Sequence, residues 1–441
     1  METSKVHLST DRSRNYYKQV GWSLVFKFFS ILLSLLLVPL MIDYVGIMRF
    51  GIWATMTTIL RWVVFFDLGL GNGLRNTLAH AFAQNERQRA RVVISTGYFT
   101  IGAITLTILV LLYLMTPILN LKTIFNAHLL NETELKWTLL IIGTCIIINF
   151  LLSLINYVMH ASQRSSFVVL SQFSINLLAL CFTLAARAFL PQSLVSLAVA
   201  YGMGLLIANF SLNFWFFYKN DDLKPRIRFF DFTQVRSLTN LGFQFFIIQV
   251  AVMIVFSTDK IIISHLFGPS SVTGYEVSYK LFGLITIAQS IIITPLWSAY
   301  THAYSQGDMD WIKNKLYKLN LLLLPLTLSI LFFIIFGPKI IELWIGKDLG
   351  ITSLLLWTMG GFTLIRAWND IYAIFLNGIG KIGLQVKIAI IQSVMNIPLS
   401  IFLGRRIGVS GVLLATIISL SLFAVAGPIQ TWIILGRESD H

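Results

Sequence analysis

The sequence predicts an all-α polytopic membrane protein of about 12 transmembrane helices, arranged as two parallel six-helix repeats around a central cavity. Three observations predict it. The chain of 441 residues is 56% hydrophobic and 12% charged, about half the charge of a soluble domain. Apolar runs recur from end to end, each long enough to cross a hydrocarbon core of about 30 Å as a helix. Short landmarks of the first half return some 222 positions later.

The first apolar run, 21–45, follows Lys5, Arg12, Arg14 and Lys18. It is longer than a secretory h-region and no small-x-small cleavage site follows, so it reads as a retained first span. The full set of predicted spans is 20–44, 50–73, 92–116, 137–159, 166–189, 193–218, 240–266, 272–301, 316–336, 350–377, 384–403 and 408–435. The breaks carry turn signals: "GPSS", "FGPK", "NGIGKIG" and "LGRRIG". Cys145 and Cys181 lie inside apolar runs and read as small buried residues, with neither a disulfide framework nor metal-ligand spacing. The longest outer break, 117–136, holds His128, Glu132 and Glu134, which read as a solvated loop helix. With no Cys/His or Ser/His/Asp arrangement elsewhere, the residues point away from an enzyme.

Basic residues set the expected orientation. With the N-terminus inside, the inner segments hold 20 Lys/Arg and the outer segments 8. The positive-inside rule then puts both termini in the cytoplasm. The formal charge of +14 is thereby accounted for as topology signal beside anionic membrane lipids. Nucleic-acid binding would need a folded basic module, and none is present.

"HAFAQNE" (80–86) and "HAYSQGD" (302–308) lie 222 apart, after the second and eighth spans. Gly46 and Gly268 share that offset, while Gly51/Gly274 and Pro117/Pro338 lie 223 and 221 apart. Six spans separate the members of each pair, so the halves have like orientation, a transporter signature with the substrate site expected between them. The predicted lobes are 1–218 and 240–441. The join, 219–239, carries a Pro, five basic residues and an amphipathic "FFDFTQV" stretch read as an interfacial helix.

Charges inside the spans are the candidate functional residues, because a charge in hydrocarbon normally faces a cavity or a partner. Arg366 and Asp370 are four apart and can share a helix face, as can Glu276 and Lys280. Asp259 and Lys260 are neighbours and point about 100° apart. Lys27 and Arg61 have no local acidic partner, and Arg61 lies some 16 Å into its span at 1.5 Å per residue. The second and eighth spans, and the first and seventh, each carry one interior cation: Lys27, Arg61, Lys260 and Lys280. A cavity lined by these would be cationic and would suit an anion, phosphate in particular. "DLGLGNG" (67–73) ends the second span; no strand precedes it, so it reads as a packing or hinge segment rather than a phosphate loop. Asp67 beside it is a candidate coupling carboxylate or a helix-end charge.

The stretches "YVGIMRFGIWATMTTILRWVVFFDLGLGNGLRNTLAHAFAQNE" and "STDKIIISHLFGPSSVTGYEVSYKLF" resemble the corresponding regions of O-antigen-type polysaccharide flippases. These form a branch of the multidrug/oligosaccharidyl-lipid/polysaccharide exporter superfamily. The resemblance implies two lobes around a cavity open alternately to each side. It also implies an undecaprenyl-pyrophosphate-linked oligosaccharide, moved from the cytoplasmic to the periplasmic leaflet of a bacterial inner membrane. Substrate contacts are then expected at Lys27, Arg61, Lys260 and Lys280. Ion coupling or structural pairing is expected at Asp67, Asp259, Arg366 and Asp370. No cofactor is expected beyond coupling to H+ or Na+; the expected partners are the lipid-linked anionic glycan, membrane lipids and other polysaccharide-assembly proteins. Two alternatives stand beside it: a cation-coupled multidrug exporter of the same fold, disfavoured by the excess of interior cations, and a membrane glycan polymerase or acyltransferase.

Overall fold

A chain threaded through lipid must satisfy its backbone internally, and helices do so within one segment. In the computed structural model, residues 25–67, 69–162, 164–235, 243–294 and 296–437 are described, and among them there are helices and turns but no strand. The first half contains α1 (Val25–Val45), α2 (Ile47–Leu60), α3 (Leu70–Ala83), α4 (Arg87–Met115) and the single turn α5 (Leu121–Ile124). There follow α6 (Glu132–Leu152), α7 (Leu154–Ala161), α8 (Ser165–Phe189) and α9 (Leu194–Lys219). The second half contains α10 (Phe243–Phe267), α11 (Pro269–Ile293), α12 (Leu296–Ser305), α13 (Met309–Ile345), α14 (Ser353–Gly378), α15 (Gly383–Ile407) and α16 (Val409–Arg437). Among the described residues, helix is found within each predicted span. Nine helical segments among the described residues are long and apolar enough to cross a membrane. The chain is a multi-pass membrane protein.

Three expectations of local structure change. The predicted span 50–73 is not one helix: α2 stops at Leu60, a 3₁₀ stretch runs Arg61–Asp67, and α3 begins at Leu70. Asp67 restarts the helix by accepting from the backbone N–H of Gly69 at 2.9 Å and of Gly71 at 3.3 Å, groups a new helix leaves unpaired. "FGPK" does not end its helix: α13 runs through Pro325 and Pro338 for 37 residues. Membrane helices tolerate internal proline where neighbouring groups re-satisfy the backbone. Pro117, its counterpart, does follow a helix end. Cys181 is exposed and Cys145 half-buried, so neither is a fully buried filler.

The chain divides into two compact units. Unit 1 comprises 1–46, 56–122 and 128–246; unit 2 comprises 47–55, 123–127 and 247–441. The join starts with 3₁₀ turns at Asp221–Leu223 and Ile227–Phe229 rather than a continuous helix. It is pinned to α4: Arg87 pairs with Asp222 at 2.8 Å, and the backbone N–H groups of Arg226 and Asp231 donate to Ser95 and Thr96. Of the expected "FFDFTQV" helix, 232–235 is helical, and 236–242 lies outside the described residues.

The repeated phrases are matching helix stops. Glu86 N–H donates to Ala81 C=O at 2.8 Å, and Asp308 N–H donates to Ala303 C=O at 3.0 Å. Just before each, Asn85 (φ 56°) and Gly307 (φ 73°) adopt the left-handed conformation that closes a helix C-terminus. At the other end of each unit, Gly46 (φ 85°, ψ 162°) and Gly268 (φ 86°, ψ 164°) make the same one-residue turn between helices. That region is open essentially to glycine alone.

Unit 1 is built on Leu74, Leu78, Val93, Ile94, Ile155, Val158 and Phe216. Neutral hydrogen bonds tie its helices. Tyr98 donates to Asn213 at 2.6 Å, Asn209 to Asn149 at 2.6 Å, Ser171 to Asn209 at 2.8 Å, and Asn176 on α8 to Ser30 on α1 at 2.8 Å. Unit 2 packs Tyr300, Ile312, Leu316, Ile371 and Phe375 at one end. At the other end, the start of α2 lies so close on α11 that a Cβ on Gly51 would meet the Pro269 carbonyl oxygen at 1.7 Å. Thr273 there donates to the Ile47 carbonyl at 2.7 Å.

Gly268→Ala and Gly46→Ala are each expected to cost about 1–3 kcal/mol, read as a lowered thermal midpoint in detergent. Gly283→Ala is the control, since a Cβ there meets nothing within 4 Å in an ordinary helix. An equal loss in the control would show that backbone conformation is not the cause.

Candidate functional site

In unit 1 the interior charges are Lys27, Arg61 and Asp67. Lys27 is half-buried on α1, flanked by the exposed Phe28 and Phe29. Arg61 caps the C-terminus of α2, where the helix dipole favours a cation. Its side chain is exposed, and Nη2 donates to the hydroxyl of Tyr201 on α9 at 2.8 Å. Asp67 is buried, and both its oxygens accept from the first turn of α3. Its helix-end role is therefore filled, while Arg61 keeps a neutral partner. The remaining acid near α1, Asp43, pairs with Arg187 of α8 at 2.8 Å.

Unit 2 is different. The turn at Gly268 folds α11 back along α10, so residues equally far before and after it face each other. Lys260 and Glu276, each eight residues from Gly268, form an ion pair of 2.6 Å with 15% and 12% exposure. Lys280 lies one turn further along α11 and is half-buried. Asp259 is 1% exposed. It accepts from Tyr275 at 3.1 Å and from Thr416 on α16 at 3.2 Å, and Asn396 on α15 donates to Thr416 at 3.1 Å. Arg366 donates to the hydroxyl of Tyr279 at 3.1 Å and lies 5.1 Å from the Phe256 ring centroid, a cation–π contact. Asp370 is half-buried one turn below Arg366.

The structure thus gathers Asp259, Lys260, Arg366, Asp370 and Lys280 onto neighbouring helices of unit 2, and Lys27, Arg61 and Asp67 onto unit 1. Sequence spacing pointed to pairs within one helix; it did not point to Tyr201, Tyr275, Tyr279, Asn396 or Thr416. The phrase "YEVSYK" did carry a signal, since Tyr275 and Tyr279 sit four apart around Glu276. Outside the spans, Glu134 accepts from the Leu194 N–H at 2.9 Å and Glu132 pairs with Lys136 at 2.9 Å, both structural roles. Among the described residues no three His, Cys, Asp or Glu side chains group as metal ligands.

What this arrangement can do chemically is hold charge in the membrane: a loosely engaged cation in unit 1 and a set of mutually engaged acids and bases in unit 2. Comparison with known proteins gives a context. The family model described as "Polysaccharide biosynthesis protein" matches residues 16–301, well over half of the chain. A protein of Salmonella typhimurium bearing the name O-antigen transporter is 24% identical over 407 residues, covering 90% of this chain and 92% of the relative. A low-salt glycan biosynthesis flippase of Haloferax volcanii is 21% identical over 247 residues, covering 55% of this chain and 48% of that one. A solved inward-facing multidrug resistance transporter of the MATE family has a TM-score of 0.76 at 14% identity, covering 95% of this chain and 98% of that structure. At that identity the likeness is one of fold.

The pair Lys260–Glu276 gives a test. Removing one partner of a buried pair costs about 3–5 kcal/mol, because the other charge is left uncompensated. Lys260→Met is therefore expected to lower the thermal midpoint sharply, and Lys260→Met with Glu276→Leu to recover most of it. Additive losses would show that the two charges are not coupled.

Proposed function

The chain belongs to the polysaccharide biosynthesis protein family, and on that premise we propose that it is a flippase for an undecaprenyl-pyrophosphate-linked oligosaccharide. It carries this substrate from the cytoplasmic to the periplasmic leaflet of a bacterial inner membrane by alternating access, with both termini cytoplasmic. The coarser reading, a glycan-handling membrane transporter and not an enzyme, follows from the family and its named relatives.

One observation carries the finer reading: Arg61, exposed, stands at a break in a membrane helix. Non-helical backbone at membrane depth is tolerated only where it is buried in protein or lines a water-filled cavity. Broken helices of transporters mark substrate sites for the same reason. The exposure of Arg61 favours the wet alternative. A guanidinium there presents a planar fork to phosphate oxygens, and Tyr201 holds one of its nitrogens without neutralising it. Lys27 adds a second cation in unit 1. Lys260 is engaged by Glu276, so the head-group assignment falls first on Arg61 and Lys27. The sugars cross in water and the prenyl tail stays in lipid.

The mechanism needs the pyrophosphate held in the membrane without being held permanently. A charge-assisted hydrogen bond contributes about 1.5–3 kcal/mol, enough to bind and weak enough to release. Interior acids on the multidrug-exporter pattern would repel this head group. In unit 2 they are engaged by Lys260, by Tyr275 and by Thr416.

Arg61→Ala is expected to reduce surface glycan about tenfold or more, by loss of that contact, with the protein at wild-type level in the membrane. Arg61→Lys keeps the charge and is expected to restore part of it. Normal surface glycan in Arg61→Ala combined with Lys27→Ala would remove both residues from the mechanism.

A further inference from the structure

At the end of unit 2 marked by the Gly268 turn there is a cavity of about 620 Å³. Its walls are the beginnings of four helices. Ile47 opens α2, Ser270 and Ser271 lie in the first turn of α11, Thr352 caps α14, and Ser410 lies in the first turn of α16. Each helix start carries roughly half a positive charge and N–H groups without an intrahelical partner. None of the four helices has an acid in its first turn, so no carboxylate of their own offsets these ends. One of the N–H groups, that of Leu355, donates to the Thr352 hydroxyl at 3.2 Å.

Ser410 adds an independent sign of a ligand. It is 3% exposed and lines the cavity, and its hydroxyl has no hydrogen-bond partner among the described residues. Ser278 and Ser419, also buried, donate to the carbonyl four residues back in their own helices. Ser410 lacks that option, because the turn at Gly408 (φ 80°) ends the preceding helix two residues earlier. A buried hydroxyl with no protein partner is costly unless something in the cavity meets it.

The cavity also holds the opposite charge. Asp348 is the one charged side chain among the lining residues, and no Lys or Arg joins it. It is exposed, and its Oδ1 accepts from the Gly350 N–H at 2.8 Å. Depth identifies the surroundings. α11 and α14 have 25 and 26 residues, about 38 Å at 1.5 Å per residue. A hydrocarbon core is about 30 Å thick, so these helices begin at the level of lipid head groups. Leu354 lines the cavity, and Trp357 lies one turn along α14; they are 48% and 55% exposed. Together they lead from the cavity along the span, with the indole at the depth where tryptophan favours the interface.

We propose that this cavity binds the head group of a zwitterionic phospholipid. The phosphate sits on the helix starts and accepts from the Ser410 hydroxyl, the ammonium pairs with Asp348, and an acyl chain lies along Leu354 and Trp357. Helix starts are ready sites for phosphate. A simple anion fits less well, since Asp348 repels it and no basic side chain compensates. A simple cation fits less well, since four positive helix ends confront it. A head group with both charges satisfies both. The site uses none of the residues of the transport reading and does not rest on it.

The test is native mass spectrometry of the full-length protein in detergent, titrated with phosphatidylethanolamine, phosphatidylglycerol or inorganic phosphate. The wild type is expected to bind its first phosphatidylethanolamine about tenfold or more tighter than phosphatidylglycerol, the difference made by one charge-assisted bond, and to retain no inorganic phosphate. Asp348→Asn keeps an acceptor for the Gly350 N–H and is expected to abolish the preference between the lipids. Ser410→Asp sets a carboxylate among the helix starts and is expected to weaken both lipids. Because Asp348 is exposed, its variant decides the matter even where Ser410→Asp folds poorly. Equal binding of the two lipids by the wild type, or a preference unchanged in Asp348→Asn, would overturn the site. Retention of inorganic phosphate as firm as that of the lipid would show an anion site instead and would overturn it as well.

Discussion

Everything in this structure depends on one constraint: inside a membrane, a polar group must find its partner within the protein or in enclosed water. The helices answer it for the backbone. Where a helix is interrupted, a side chain takes over, as Asp67 does for the first turn of α3. Buried side chains follow the same rule. In unit 1, Asn209 donates to Asn149 and accepts from the Ser171 hydroxyl. Among the described residues some buried polar atoms, Asn156 Oδ1, Asn396 Oδ1 and Ser400 Oγ among them, have no protein partner, and each carries a cost in hydrocarbon.

The two halves obey the constraint with different chemistry. Their turns match in backbone, at Gly46 and Gly268 and again at Asn85 and Gly307. Their interiors do not match. Between Asn149, Asn209, Ser171, Asn176 and Ser30, unit 1 is tied by neutral bonds, and it leaves Arg61 exposed. Unit 2 contains acids and bases that engage one another or nearby hydroxyls. The matching turns are common to both halves, whereas the interior acids of unit 2 are not matched at the equivalent positions, Asp259 standing where the first half has Leu37.

Much of the fold was legible in the sequence because it rests on composition and period. Apolar runs and their turn residues marked the helical regions, and the 222-residue offset marked the matching turns at Gly46 and Gly268. The break at Arg61 was not legible: "RWVVFFD" is apolar and aromatic, and only the capping by Asp67 shows why the helix restarts where it does. Nor was the pairing of the interior charges. Sequence spacing joins residues on one helix, so Glu276 was matched with Lys280. The Gly268 turn instead sets Glu276 against Lys260, because both lie eight residues from it. That rule is simple once the turn is known to be a single residue, and it could be applied to the sequence in advance. The partners on distant helices, Tyr201, Asn396 and Thr416, carry no local signal, since a neutral residue in an apolar run looks the same whether or not it meets a charge.

The break in the second span also explains how the membrane tolerates the charges beside it. An uninterrupted helix would place Arg61 and Asp67 mid-span, with no backbone groups left to meet them. Ending α2 at Leu60 gives Arg61 the negative end of a helix dipole, and starting α3 at Leu70 gives Asp67 the positive end of the next. The same interruption thus stabilises a cation and an anion within seven residues. The two differ in what remains. Asp67 has both oxygens occupied by backbone N–H groups, whereas Arg61 has five donors and a described partner at one of them. Breaking the helix therefore does more than bend the chain. It holds a cation inside the membrane with one of its donors engaged among the described residues, as the proposed phosphate head-group site requires.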